Sequence, residues 1–217
     1  MSGIKTVLFD LDGTLVDTAP DMAAALDILC REENQPVLPY EKVRPVVSNG
    51  SIALIRLAFG DVEDQQRLDY LKQRYLDIYQ KNICIDSTTF EGIDRVLEHL
   101  EHNGLNWGVV TNKPGWLTLP LMDRLRLVQR AATIVSGDTT NNSKPHPDPM
   151  HHACDEADSE SDECLYVGDA RRDIEAGKNA GMKTLVANYG YIDAGEDVNT
   201  WGADAIIEKP EEILLHL

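Results

Sequence analysis

Residues 5–18 read Lys-Thr-Val-Leu-Phe-Asp-Leu-Asp-Gly-Thr-Leu-Val-Asp-Thr, and no other segment restricts the possible folds of this chain as strongly. An apolar run stops abruptly at two carboxylates, followed by Gly and Thr. Val7, Leu8 and Phe9 have the character of a short buried strand. Asp10 then stands at the carboxyl end of that strand, where open α/β sheets take their ligands. Side chains alternate along extended backbone, so Asp10 and Asp12 point to one side and Leu11 to the other. Gly13 permits the tight turn that follows. Two acids aimed into one crevice suggest a metal site, a nucleophile with a proton donor, or both. The same letters also describe a strand end followed by an acidic Asp-Gly turn, so the later segments must decide.

Those segments alternate in type. Helical spacing appears first, in residues 20–31 behind an Asp17-Thr18 start signal, with Met22, Ala25, Leu26 and Leu29 on one face. It recurs in 41–47, 51–59 and 62–80, where Leu68, Leu71, Tyr75, Ile78 and Tyr79 form the apolar stripe. No strand pattern appears between Val16 and Ile85. A βαβ unit joins its strands through one helix, so several helices in a row read as an insertion after the first strand. Strands are then expected at 105–111, 133–136, 164–168, 184–187 and 205–207. Helices are expected at 93–102, 114–127, 151–157, 172–180 and 210–215. The expected fold is α/β, a Rossmann-like three-layer parallel sheet with an inserted helical cap. The expected division is a core of residues 1–16 and 88–217 and a cap of residues 17–87.

At 217 residues the chain can bury a sizeable core. Its net charge of −17 argues against nucleic acid and anionic membranes as partners, because both reward Lys and Arg. A small anionic substrate remains compatible, since a metal and a lysine can reverse the field inside a cleft. No apolar run is long enough to cross a bilayer. The N-terminus shows no secretion signal, so a cytoplasmic location is expected. Cys30, Cys84, Cys154 and Cys164 form no CxxC pair and read as reduced, core-type thiols. His151 and His152 fall on a helix with their rings diverging, which suits a solvated face better than a metal.

Chemistry gathers where strands end. The first strand ends at Asp10, the strand around Val109-Val110 at Thr111-Asn112-Lys113, and the strand Leu165-Tyr166-Val167 at Gly168-Asp169-Ala170-Arg171-Arg172-Asp173. In a parallel sheet these ends share one rim. Carboxylates clustered there repel one another unless a cation joins them. Hard oxygen donors without His or Cys point to Mg2+.

In these motifs the chain resembles the haloacid dehalogenase superfamily, on its phosphatase branch, over nearly its whole length. Asp10-Leu11-Asp12-Gly13-Thr14 matches the first motif, Thr111 the second, Lys144 in Ser143-Lys144-Pro145 the third, and Gly168 through Asp173 the fourth. Ala170 departs from relatives that carry Ser or Asp there. The resemblance implies Asp10 as the nucleophile of an aspartyl-phosphate and Asp12 as general acid and base. It implies Asp10, Asp12 (through its carbonyl) and Asp169 on Mg2+, with Asp173 supporting them. Thr111, the Asn112 backbone, Gly13 and Lys144 would hold the phosphate.

The second acid, Asp12, argues against a dehalogenase, which has no alkoxide to protonate. A phosphonate hydrolase would need a cap lysine, and Lys42, Lys72 and Lys81 read as solvated helix positions. In the cap, Val47-Ser48-Asn49-Gly50-Ser51 reads as a polar, flexible break able to dip into the crevice, with Asn49, Gly50 and Arg56 as candidate substrate contacts. This break is similar to the cap loop of phosphoglycolate phosphatases. Asn106 through Pro114, Tyr189-Gly190-Tyr191-Ile192 and Asn199 through Asp204 are closer to N-acetylmuramic acid 6-phosphate phosphatases. The expected function is therefore hydrolysis of a small phosphorylated metabolite, phosphoglycolate phosphatase-like. The alternatives are the amino-sugar 6-phosphate, a sugar-phosphate mutase, or a non-catalytic protein of the same fold. Oligomeric state is left open.

Overall fold

A computed structural model describes residues 3–217. Strand β1 (Thr6–Phe9) is buried along its whole length, as an uninterrupted apolar run requires in a sheet covered on both faces. It is followed by β2 (Val16–Asp17), helices α1 (Ala19–Glu32), α2 (Tyr40–Val43), α3 (Gly50–Phe59) and α4 (Gln65–Lys81), and β3 (Thr88–Thr89). Strand and helix then alternate through α5 (Ile93–His102), β4 (Asn106–Val110), α6 (Gly115–Arg124), β5 (Thr133–Val135) and α7 (Asp148–Glu156). The remainder is β6 (Cys164–Gly168), α8 (Arg171–Asn179), β7 (Lys183–Ala187) and β8 (Ala205–Ile207).

Six strands form one sheet in the order β5-β4-β1-β6-β7-β8, with every pairing parallel. Side-chain alternation along β1 divides the core. Val7 and Phe9 share an apolar cluster with Leu97 of α5 and Leu117 and Leu121 of α6, while Leu8 shares another with Met150 of α7 and Ala176 of α8. The result is the Rossmann-like three-layer fold expected from the alternation. Phe9 lies in register with both Val109 and Val167. The three central strands therefore run out together, and Asp10, Thr111 and Asp169 leave the sheet at one edge.

Four helices stand between β2 and β3, which pair antiparallel through Val16 with Thr89 and Asp17 with Thr88. This ribbon was not expected, because two residues are too few to display a period. The expected helix at 41–47 stops at Val43 and continues as a 3-10 turn, Arg44–Asn49, where Pro45 removes a helical donor. The helix expected from Val62 starts only at Gln65, where Asp64 accepts a hydrogen bond from the Gln66 N–H. The last expected helix is a 3-10 turn, Pro210–Leu215. Cys154 and Cys164 are buried free thiols with sulfurs 3.5 Å apart. Among the described residues no helix is long and apolar enough to cross a membrane.

Asp21, buried in the first turn of α1, ties that helix to the chain returning from α4. Its carboxylate accepts the Ile85, Asp86 and Ser87 N–H groups at 2.9–3.0 Å and the Ser87 hydroxyl at 2.5 Å. Removing it orphans several donors at once. Asp21→Ala is expected to cost about 2 kcal/mol in urea unfolding, and a loss below about 0.5 kcal/mol, the range of neutral surface changes, would contradict this role.

Candidate active site

Asp10 follows β1 directly, and its N–H donates to Val167 O at 2.8 Å, so the sheet itself fixes its backbone. Its carboxylate meets Lys144 Nζ at 2.9 Å. That ammonium is essentially sealed, with 1% of its side chain exposed, and also reaches Asp173 at 2.7 Å and Val110 O and the Tyr166 hydroxyl at 2.8 Å each. Both Asp173 oxygens are engaged, one by Lys144 and the other by the Ala170 N–H at 2.9 Å.

Asp169 begins the loop after β6. Its carboxylate accepts the Tyr191 N–H at 2.9 Å and the Ser48 hydroxyl at 2.7 Å. Burial, and then the Asp10 and Asp173 carboxylates, push its carboxyl up to about 7. Burial also raises Asp173, against the pull of Lys144. Oxygens of Asp10, Asp169 and Asp173 all lie within 4.8 Å of one another. Three buried acids, set against Lys144 and the Arg172 guanidinium, still leave an excess of negative charge, which a divalent cation with oxygen preference would relieve. The donor set therefore fits a hard cation. Gly13 makes the close approach possible: its φ is +87°, and a Cβ there would collide with the Asp169 carboxylate.

Asp12 lies apart from this cluster. One of its oxygens accepts Lys113 Nζ at 2.9 Å and the Thr18 hydroxyl at 2.6 Å. Thr18 thus serves Asp12 and does not cap α1; the Ala19 N–H donates to the Tyr191 hydroxyl instead, at 2.9 Å. Lys113 reaches α4 as well, donating to the Tyr79 hydroxyl at 3.0 Å. Burial works against the Lys113 charge, but Asp12 and Tyr79 outweigh it and hold its pKa above the ordinary lysine range. Thr111 is buried, and its hydroxyl accepts the Lys113 N–H at 3.1 Å. The Asn112 side chain clamps the Lys144 backbone with two bonds of 3.0 Å.

Asp10, Asp12, Thr111, Asn112 and Lys113 line a cavity of about 800 Å3 whose opposite wall comes from α4 and the turn before α3. Asn49 and Gly50 line it. Arg56 does not: it is exposed on the outer face of α3. The expected loose break at 47–51 is an ordered 3-10 turn entering α3, bound to the core from both sides of Ser48. Its hydroxyl donates to Asp169, and its carbonyl accepts Arg172 at 2.6 Å. Lys72, expected on a solvated face, is half-buried in the cavity wall. Sequence reasoning did not single out Ser48, Tyr79, Trp116 or Arg172 as site residues. Two of them carried a signal, Ser48 inside the polar break at 47–51 and Arg172 inside the fourth motif.

A family model described as haloacid dehalogenase-like hydrolase matches residues 7–187. An N-acetylmuramic acid 6-phosphate phosphatase of Pseudomonas aeruginosa is 40% identical over 211 residues, covering 97% of this chain and 93% of the relative. A phosphoglycolate phosphatase of Xanthomonas campestris pv. campestris is 38% identical over 209 residues, covering 96% and 94%. A solved structure, described as that of a predicted phosphoglycolate phosphatase from Haemophilus somnus, aligns with a TM-score of 0.87 at 27% identity, covering 99% of this chain and 98% of that one.

Proposed function

This chain belongs to the family of haloacid dehalogenase-like hydrolases, and from that premise we propose that it is a magnesium-dependent phosphatase that hydrolyses a small phosphate monoester through an aspartyl-phosphate. The observation that carries the reading is that Asp10, Asp12 and Thr111 line one cavity at one sheet edge, with Lys144 bonded to Asp10 and an Asp169 oxygen within 4.8 Å of an Asp10 oxygen behind them. An Asp10 oxygen attacks phosphorus as the bond to the leaving oxygen breaks. Asp12 gives that oxygen its proton, then takes one from the water that cleaves the Asp10–phosphorus bond and releases inorganic phosphate. Lys113 and Thr18 hold Asp12 in place for both steps. Thr111 and the Asn112 N–H bind phosphoryl oxygens, Lys144 offsets their charge through its bond to Asp10, and Gly13 lets the backbone come close. The Asp10 and Asp169 carboxylates and the Asp12 carbonyl would hold Mg2+, with Asp173 keeping Lys144 and the loop in place. The ion would supply electrostatic stabilisation of the phosphoryl oxygens.

We assign residues 17–87 to a cap and residues 1–16 and 88–217 to the catalytic core, with the β2–β3 ribbon joining them. Thr18, Ser48 and Tyr79 are points where that cap touches the chemistry, through Asp12, Asp169 and Lys113. Of the two substrates named by the relatives, 2-phosphoglycolate was the expectation from the cap loop. The cavity volume favours N-acetylmuramic acid 6-phosphate, because about 800 Å3 suits a ligand of many heavy atoms. A two-carbon acid would leave most of that space to water.

Phosphate release tests the proposal. Both esters are assayed for kcat/KM with Mg2+, with a chelator, and after Mg2+ is restored. Release is expected to vanish on chelation and return with the ion, and the sugar phosphate is expected to be the better substrate by at least about 10-fold, or 1.4 kcal/mol. Mg2+ at about 100 times its Kd should also stabilise the fold by about 2.7 kcal/mol. Metal-independent release, or none from either ester, would contradict the assignment.

A further inference from the structure

We infer that the half of the cavity remote from Asp10 is a leaving-group subsite, built by α4 and Trp116 to hold a hydroxylated ring that carries a carboxylate. The inference rests on the phosphatase reading and adds the residues that select the substrate. Asp69, Lys72, Gln73 and Leu76 follow one another at helical spacing and all line the cavity. The same stripe continues to Tyr79, which meets Lys113 beside Asp12. α4 therefore acts as a ruler laid outward from the general acid. At 1.5 Å per residue, Lys72 stands about 10 Å from Tyr79 along the helix axis and Asp69 about 15 Å. A hexose phosphate with a ring substituent is of this length, whereas a two-carbon phosphate ends well short of Lys72.

The chemistry along the ruler suits such a ligand. Of the cations lining the cavity, Lys113 is paired with Asp12, and Arg172 donates to Ser48 O. Lys72 makes no hydrogen bond or ion pair among the described residues, although acids outnumber bases 37 to 20 in this chain. A half-buried ammonium without a counter-ion, facing a cavity, is a receptor for a carboxylate. Asp69 and Gln73 each keep one oxygen free beyond their bonds to Gln65 and Asp77, and those oxygens can accept from ring hydroxyls or an amide N–H. Trp116, in the first turn of α6, lines the cavity with 40% of its surface exposed. It offers a flat apolar face for the C–H side of a ring.

The test compares three esters: N-acetylmuramic acid 6-phosphate, N-acetylglucosamine 6-phosphate, which has the same ring without the carboxylate, and glycerol phosphate, which has no ring. The wild-type protein is expected to prefer the first over the second by about 10-fold or more in kcat/KM. Lys72→Met should bring that ratio near unity, chiefly through KM, and Lys72→Arg should keep most of it. Trp116→Ala should lower both ring substrates about 10-fold relative to glycerol phosphate, and Trp116→Phe should recover part of the loss. Calorimetric binding of N-acetylmuramic acid 6-phosphate to wild-type and Lys72→Met protein reads the same subsite without turnover. An unchanged ratio and an unchanged Kd in Lys72→Met, or equal losses on all three esters in Trp116→Ala, would overturn the inference. Absence of turnover together with a Kd that still depends on Lys72 would defeat the phosphatase reading and leave the subsite standing.

Discussion

Asp10→Asn is expected to lower phosphate release by at least about 10^4-fold, the scale on which loss of a covalent nucleophile is felt, while leaving the protein folded. The amide has the shape of the carboxylate and can still accept Lys144 through its oxygen, but it has no anionic oxygen to attack phosphorus. The substitution also removes one charge from the cluster of three acids, so the repulsion that adds to burial in raising Asp169 is reduced. Stability should therefore stay level or rise as activity disappears. That opposition separates a chemical role from a structural one. Near-normal turnover of a generic phosphate ester by this variant would show that another group makes the bond to phosphorus.

Lys144→Met should damage both properties together. Its ammonium joins Asp10, Asp173, Val110 O and the Tyr166 hydroxyl in a region closed to solvent. A methionine fills similar volume but leaves Asp10 and Asp173 without their cation, beside a third acid, Asp169. Breaking a buried pair in this way costs about 3–5 kcal/mol, and loss of a charge-stabilising donor at a transition state costs about 10^2–10^3 in kcat. Urea unfolding gives the first figure and steady-state kinetics the second. Saturating Mg2+ should return part of the lost stability, because the ion would neutralise the same acids. A destabilisation below about 1 kcal/mol, the range of exposed pairs, would mean that the lysine is not the keystone of the cluster.

The parts of the site that could be read in the letters are those governed by short-range rules. An apolar run that ends in a polar residue, met three times, locates Asp10, Thr111 and Asp169 because parallel strands must end on one rim. The stripe of α4 from Leu68 to Tyr79 was equally legible from its spacing. What escaped depends on contacts between distant segments. Lys72 has the look of a solvated lysine until the fold makes it line the same cavity as Trp116 from α6. Thr18 resembles a helix cap, yet Asp12 claims its hydroxyl, and Tyr191 from the other end of the chain supplies the cap. Arg56 reads as a residue following the polar break into the crevice, but it falls on the exposed face of α3, away from the cavity. Asp12 and Asp173 divide their work differently from the motif alone. The acid of the fourth motif joins the cluster around Lys144, while the second acid of the first motif turns toward Lys113.

The central claim is that a covalent phosphoryl group resides on Asp10 during turnover. It is tested most directly by acid-quenching the working enzyme, reducing it with borohydride, and locating the reduced residue by peptide mass spectrometry. Reduction is expected at Asp10 alone, in an amount that follows substrate concentration and is absent from Asp10→Asn. Label at another residue, or full turnover with Asp10 never modified, would contradict the account.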